Sequence, residues 1–335
     1  MLLLFLLSSF HLRTCYSSRS MQPLCHDDES HALLQLKESL VINESASSDP
    51  SAYPKLQKPG LQHLVEALTN LEVLHLRAVN ISAKLPESIG NRKSLKEFDV
   101  RDCHFSGVVP SSLGNLTKLS YLDLSHNSFY GKIPSTFVNL LQVSHLSLSN
   151  NNFSSGTLDW LGNLTKLKYV GLIETNSYGN IPSSLRNLTQ LTVLRLHGNK
   201  LTGQIPPWIG NHTQLISLLL GDNELHGAIP ESIYRLQNLE DLDLAFNSFS
   251  GSLELHLLLK FRNLVSLQLS YNHLSLLYSH NATIPQPKLE LLTLSRCNLV
   301  ELPSFLRDQN HLEYLELKDN ELVLSNPWTY FHGTI

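Results

Sequence analysis

The sequence predicts an α/β solenoid: a curved superhelix of stacked coils with a parallel β-sheet on its concave face. Three observations predict it. A pattern of apolar residues returns every 24 positions over most of the 335 residues. Leucine dominates a chain of which only 16% is charged, below the quarter usual for a globular protein. Asparagine returns at one fixed point of the period, where each coil turns off its strand.

The elements follow in chain order. Met1 to Phe10 is almost wholly apolar, and Ser17, Ser18 and Ser20 come after a short polar stretch. This fits a secretory signal over 1–20, although no positive charge precedes the apolar run. A helix is expected over about 28–42. Asp27, Asp28 and Glu29 favour its start, and Ala32, Leu33, Leu36 and Leu40 line one face. Residues 51–60 read as a linker, and Leu61–Asn70 as the back half of a coil whose strand half is absent.

The period itself is L-x-x-L-x-L-x-x-N-x-L-x-G-x-I-P. It starts at Leu71, Leu95, Leu119, Val143, Leu167, Leu191, Leu215, Leu239, Leu264, Leu289 and Leu312, giving ten full units over 71–311 and an eleventh cut short in 312–335. In Leu191–Gln214, the strand residues Leu191, Leu194 and Leu196 point inward, and Leu201, Ile205 and Ile209 add to the same core. Asn199 can satisfy backbone groups of neighbouring coils through its amide. Gly203 suits left-handed backbone, and Pro206 stops the segment that follows from joining a ladder. The other asparagines are Asn127, Asn151, Asn223, Asn247, Asn272 and Asn320; Val79, Cys103, Thr175 and Cys297 take the position elsewhere. One coil is too small to offset its own ordering entropy, so stability must come from stacking.

The half-motif recurs as Gly131-Lys132-Ile133-Pro134, Gly179-Asn180-Ile181-Pro182, Gly203-Gln204-Ile205-Pro206 and Gly227-Ala228-Ile229-Pro230. With the strand motif, it resembles the plant-specific class of leucine-rich repeats. Pro23-Leu24-Cys25-His26-Asp27-Asp28-Glu29-Ser30-His31-Ala32-Leu33-Leu34-Gln35-Leu36-Lys37 is similar to the N-terminal cap of plant leucine-rich-repeat receptor-like proteins, of the type that perceives microbial molecules in defence. On that resemblance 21–60 is a partial cap and linker. The family's paired-cysteine and tryptophan segment is missing, which leaves Cys25 without a cap partner. Cys15 would leave with the signal. Cys103 and Cys297 lie eight repeats apart at ladder positions, too far to bridge. Relatives of this kind continue through further repeats, a membrane helix and a short tail. The chain therefore reads as a truncated version, with no membrane span of its own.

Candidate binding residues are those between the inward leucines. They are Tyr121, Asp123 and His126; His145 and Asn150; Tyr169, Ile173 and Glu174; and Arg195 and His197. Equivalent residues of neighbouring strands lie about 4.8 Å apart, so Tyr121, His145 and Tyr169 should form a column; tyrosine and arginine are enriched where binding energy concentrates. The alternative is a generic solvated sheet face. Asp99, Asp123, Asp243 and Glu316 share another strand position, interrupted by Arg195. They read either as a field that steers a basic peptide or as solvent-facing charge on a sheet.

Eight N-x-[ST] sequons begin at Asn43, Asn80, Asn115, Asn152, Asn163, Asn187, Asn211 and Asn281, as expected of a secreted glycoprotein. Asn115, Asn163, Asn187 and Asn211 share one repeat position and should project from the convex side. Arg92 and His212 replace leucine and should mark local packing defects.

No catalytic residues, cofactor or metal are expected. His26 to His31 reads as a helix start rather than a metal site, and no nucleotide-binding, metalloprotease or nucleophile motif is present. The net charge of −4 carries no long basic run, which excludes a nucleic-acid footprint. The resemblance implies a ligand-recognition ectodomain that binds a peptide, protein or microbial elicitor and signals through a co-receptor kinase. Two alternatives stay open: a secreted inhibitor of the polygalacturonase-inhibiting type, and a non-functional fragment.

Overall fold

The computed structural model describes residues 40–41, 55–56, 61–278 and 286–322. The chain divides into two compact units. The first holds the coils up to Asn176 except for 157–162; the second holds 157–162 and the residues from Ser177 onward.

In the first unit, the strands Val73–His75, Glu97–Asp99, Tyr121–Asp123, His145–Ser147 and Tyr169–Gly171 pair in parallel and in register. In the second, Val193–Arg195, Ser217–Leu219, Asp241–Asp243, Ser266–Gln268, Leu291–Thr293 and Tyr314–Glu316 do the same. Each strand has three residues because its middle residue must face inward while the two flanking ones face out. The middle residues Leu122, Leu146, Leu194 and Leu218 are fully buried, as are Phe98 and Val170.

Each coil then turns off its strand on a left-handed residue. Ala78, Asp102, His126, Asn150, Glu174, Gly198, Asp222, Phe246, Tyr271, Arg296 and Asp319 all occupy it, with φ between 51° and 69°. The ladder asparagine follows and closes the turn. Asn127 accepts hydrogen bonds at Oδ1 from the N–H groups of Cys103 and Phe105, at 3.1 and 2.9 Å. Its Nδ2 donates to the carbonyls of Val100, Leu124 and Ser125. One side chain thus stitches its own coil to the preceding one. Asn223, Asn247 and Asn272 repeat the arrangement.

Where asparagine is replaced, the backbone changes. Cys103 and Cys297 are buried free thiols whose Sγ donates to Leu76 O and Leu269 O, the carbonyls that asparagine would reach. Thr175 Oγ1 donates within its own coil to Leu172 O at 3.0 Å. After each of the three comes a second left-handed residue: His104, Asn176 and Asn298. A thiol or hydroxyl cannot accept and donate as an amide does, and the chain turns further to find its bonds.

Eight of the coils carry at the back a second short strand that the single-sheet expectation lacks. Ser106–Val108, Ser128–Gly131 and Asn152–Phe153 pair in the first unit. Tyr178–Asn180, Lys200–Gly203, Glu224–Gly227, Ser248–Glu254 and His273–Leu277 pair in the second. Gly131, Gly203 and Gly227 end theirs and Gly179 lies within its own, with φ between 77° and 84°, a backbone that only glycine adopts without strain. Prolines such as Pro110, Pro134, Pro206 and Pro230 then lead into 3-10 turns, for instance Ser111–Asn115 and Pro207–Asn211.

At the N-terminal edge one segment follows the sequence reading and one departs from it. Leu61–Ala67 forms a helix that buries Leu61 and Val65, consistent with a back half-coil. Leu40 and Val41, placed at the end of the cap helix by the sequence pattern, instead pair antiparallel with Leu56 and Lys55. The β-branched Val41-Ile42 pair favours extended backbone over a helical end. The signal, the rest of the cap helix, Cys15, Cys25 and residues 323–335 lie outside the described residues.

Candidate functional site

The first unit brings Tyr121, His145 and Tyr169 together. They open three consecutive strands in register, so alternation sends all three rings outward. The centroids of Tyr121 and His145 are 4.1 Å apart with planes at 6°, and those of His145 and Tyr169 are 4.1 Å apart at 13°. His75 approaches Tyr121 at 6.1 Å in a tilted pose.

Glycine sets the pose of the last ring. A Cβ on Gly171 would lie 3.0 Å from Tyr169 Cε1 and 3.1 Å from Ser147 Oγ. The column position that holds aspartate in other coils is thus empty here, and the ring leans into it.

Charge lies beneath the rings. Alternation predicts solvent-facing or steering charge at Asp99 and Asp123; both are instead buried, at 0% and 5% exposure, and so is Asp243. Each carboxylate bends back to accept the N–H two residues on, from Arg101, Ser125 and Ala245 at 2.9–3.1 Å. Aspartate is short enough to bond its own turn, which competes with solvent for the side chain. Glu316 is longer and pairs with Lys318 at 3.0 Å.

Arg77 organises one end. Its Nε donates to Asp99 Oδ2 and its Nη2 donates to Tyr121 Oη at 3.0 Å. Burial opposes its charge, but the hydrogen bond and charge of Asp99 outweigh it and raise its pKa. Burial, with repulsion from Asp123, raises Asp99 above the usual carboxylate range. Burial, then Asp99 and Asp123, pushes the Tyr121 hydroxyl up to about 12. Burial pulls His145 down to about 4, so its ring is neutral at physiological pH and offers one donor and one acceptor.

The remaining residues are dispersed. His126 and Glu174 sit on exposed left-handed turns; His126 Nε2 lies 3.2 Å from Asn150 Nδ2. Arg195 and His197 belong to the second unit, where His197 Nδ1 is 3.1 Å from Asp243 Oδ2. Asn115, Asn163, Asn187, Asn211 and Asn152 are exposed and Asn80 is half-buried, while Asn43 and Asn281 lie outside the described residues. Arg92 and His212 cap 3-10 turns where leucine stands elsewhere. Both are buried, and His212 Nε2 and two Arg92 nitrogens have no hydrogen-bond partner among the described residues.

Comparison with known proteins gives this geometry a family setting. A model described as a leucine-rich repeat region matches residues 139–272, and a leucine-rich repeat model matches 94–116 and 118–140. The chain is a leucine-rich-repeat solenoid. None of the curated proteins matches the sequence.

Solved structures do match it. The leucine-rich-repeat ectodomain of the plant membrane receptor kinase GASSHO1/SCHENGEN3 from Arabidopsis thaliana, in complex with CASPARIAN STRIP INTEGRITY FACTOR 2, is 29% identical with a TM-score of 0.62. That match covers 78% of this solenoid and only 37% of the receptor chain. The Arabidopsis receptor kinase HAESA, in complex with the peptide hormone IDA and the co-receptor SERK1, is 24% identical with a TM-score of 0.63, over 89% of this chain and 66% of that one. A plant ice-binding protein is also 24% identical, with a TM-score of 0.63, over 90% and 99%. The solenoid is thus structurally similar to plant receptor ectodomains, and the fold alone does not separate peptide perception from ice binding. No described helix is long and apolar enough to cross a membrane.

Sequence reasoning missed Arg77 and Gly171 in this leucine-rich-repeat solenoid. It also missed a second ring stack, in the second unit, between Phe246 and Tyr271 with centroids 4.6 Å apart. The signal for that stack was in the sequence: Ala245-Phe246-Asn247 and Ser270-Tyr271-Asn272 put an aromatic immediately before the ladder asparagine, where Asp, Asn or Gly is at ease.

Proposed function

We propose that the chain is a ligand-recognition ectodomain of a plant cell-surface receptor-like protein, and that the Tyr121–His145–Tyr169 stack is its principal contact for a peptide ligand. The observation that carries this reading is the in-register stack of half-buried rings with Arg77, a neutral imidazole and two buried carboxylates around it. The rings are held before a ligand arrives, so binding costs little side-chain entropy. Their apolar edges and few fixed polar groups suit an extended peptide crossing the strands, with hydrogen bonds to Tyr121, His145 and Arg77.

The similarity to the GASSHO1/SCHENGEN3 ectodomain supports the receptor setting. The resemblance of the cap and repeat motifs to defence receptors supports a microbial elicitor as the ligand. Secretion, glycosylation on the side away from the sheet, and signalling through a partner kinase belong to the same reading.

The test is capture from two sources, fungal culture filtrate and plant extracellular wash, with the chain secreted from plant cells. Peptides identified by mass spectrometry are then synthesised and titrated. Tyr121→Ala and Tyr169→Ala should each weaken a captured peptide about tenfold or more, the penalty of a central aromatic contact. A peptide that binds both variants as tightly as the unaltered chain would remove the stack from the recognition surface.

A further inference from the structure

The left-handed turn position of the second unit carries Asp222, Phe246, Tyr271, Arg296 and Asp319 in successive coils, with φ of 51°, 53°, 57°, 55° and 54°. Backbone bonds hold them one rung apart: Asp222 N donates to Ala245 O, Phe246 N to Ser270 O, Tyr271 N to Ser295 O and Arg296 N to Lys318 O. The side chains therefore form a second column, off the strands.

Phe246 is 53% exposed. A bulky residue is disfavoured in left-handed backbone, and an exposed one recovers little by burial. Every coil turns on a left-handed residue, but a bulky, exposed aromatic there is unusual. The rings of Phe246 and Tyr271 are stacked at 14°. Beyond Tyr271, the Arg296 guanidinium carbon stands 5.7 Å from the ring centroid, and its Nε is 3.3 Å from Asp319 Oδ2. One end of the stack is thus closed by a cation that a carboxylate one rung further holds in place.

At the other end a carboxylate, Asp222, stands on the rung next to Phe246, with no cation in the column. The outer face of Phe246 looks toward the coil that carries Asp222. Asp222 is exposed, and its carboxylate has no partner among the described residues.

We propose that Phe246 and Asp222 form a cation subsite that takes an arginine side chain of a partner protein. The incoming guanidinium stacks on the open phenyl face and donates to the Asp222 carboxylate beside it. Arginine fits better than lysine because its planar, weakly hydrated head can stack on a ring and donate to a carboxylate at once. The subsite is separate from the Tyr121 stack and stands or falls independently of it.

The experiment titrates fluorescent hexamers of arginine, lysine and citrulline against the full secreted chain at physiological salt, read by anisotropy. The arginine hexamer should bind about tenfold tighter than the uncharged citrulline hexamer and tighter than the lysine one. Asp222→Asn and Phe246→Asn should each weaken the arginine hexamer about fivefold, while Asp159→Asn, a remote exposed carboxylate, leaves it within twofold. Asparagine tolerates the left-handed region, so the fold at 246 is kept; should that variant misfold, Asp222→Asn decides alone. Equal weakening by Asp159→Asn, or none by Asp222→Asn, would reduce the effect to general charge attraction and overturn the subsite.

Discussion

Two ring stacks of similar spacing stand on different kinds of backbone. Tyr121, His145 and Tyr169 open β-strands, where alternation delivers outward side chains without strain and the rings are half-buried. Phe246 and Tyr271 sit on left-handed turns, one of them largely exposed. The strand stack follows from register once the residues are aromatic, and it stabilises the sheet face whether or not it meets a ligand. The turn stack opposes the preference of its own backbone. The contrast teaches that a ring column is a stronger functional signal where the backbone resists it than where the fold supplies it.

Both stacks depend on the asparagines behind them, and removing one gives the largest expected effect. Asn272 accepts from Phe249 N at 3.0 Å and donates to Leu244 O, Leu269 O and Ser270 O, all in the interior. Asn272→Leu leaves those groups unpaired and should cost about 3 kcal/mol, read as a lower urea midpoint. It should also loosen Tyr271, which immediately precedes it, and leave the Tyr121 stack intact. An unchanged midpoint would mean that backbone pairing alone holds the turn, and the two stacks would no longer share a foundation.

The legibility of the two stacks differed for a related reason. The period, the inward leucines, the ladder asparagines and the Tyr121–His145–Tyr169 column could be read directly, because each depends only on spacing. What spacing does not encode is where a short side chain turns. Asp99, Asp123 and Asp243 occupy outward positions by alternation, yet each bends back to its own turn and is buried. Gly171 matters through the space it leaves, and Arg77 through reach across two coils to Tyr121. Phe246 and Tyr271 were visible as letters, but their significance depends on a positive φ that periodicity does not reveal. Apolar spacing through Leu40 points to helix, yet Leu40 and Val41 are extended and pair with Leu56 and Lys55.

A smaller effect should separate the stacks by pH. The strand stack contains an imidazole, and the turn stack contains none. His145 has a folded pKa near 4 against its ordinary 6.5, chiefly through burial. The unfolded chain takes up this proton first, so acidification from 6.5 toward 4 favours unfolding, with no contribution above that window and no further change below it. His145→Phe keeps a ring in the stack and removes the titration. Its urea midpoint should therefore fall less than that of the unaltered chain between pH 7 and pH 4, while Phe246→Leu should not alter the slope. Parallel pH profiles for the unaltered chain and His145→Phe would show that the imidazole is not held neutral by the stack.

The smallest expected change is the most discriminating. Phe246→Asn puts a residue at ease in left-handed backbone where phenylalanine is not, a relief of about 1 kcal/mol, and forfeits a stacked pair worth about 0.5–1.5 kcal/mol. The two nearly cancel, and because Phe246 is more than half exposed little burial is lost, so net stability should move by less than about 1 kcal/mol. Tyr169→Asn offers no such compensation. Its strand backbone is relaxed, asparagine is poorly suited to a strand, and the contact with His145 disappears, so it should destabilise by about 2 kcal/mol. Denaturation of the two variants side by side measures the strain directly, since the chemistry of the substitution is nearly the same and only the backbone differs. Equal losses would mean that Phe246 sits without strain, and the exposed stack would then be as ordinary a product of the fold as the one on the strands.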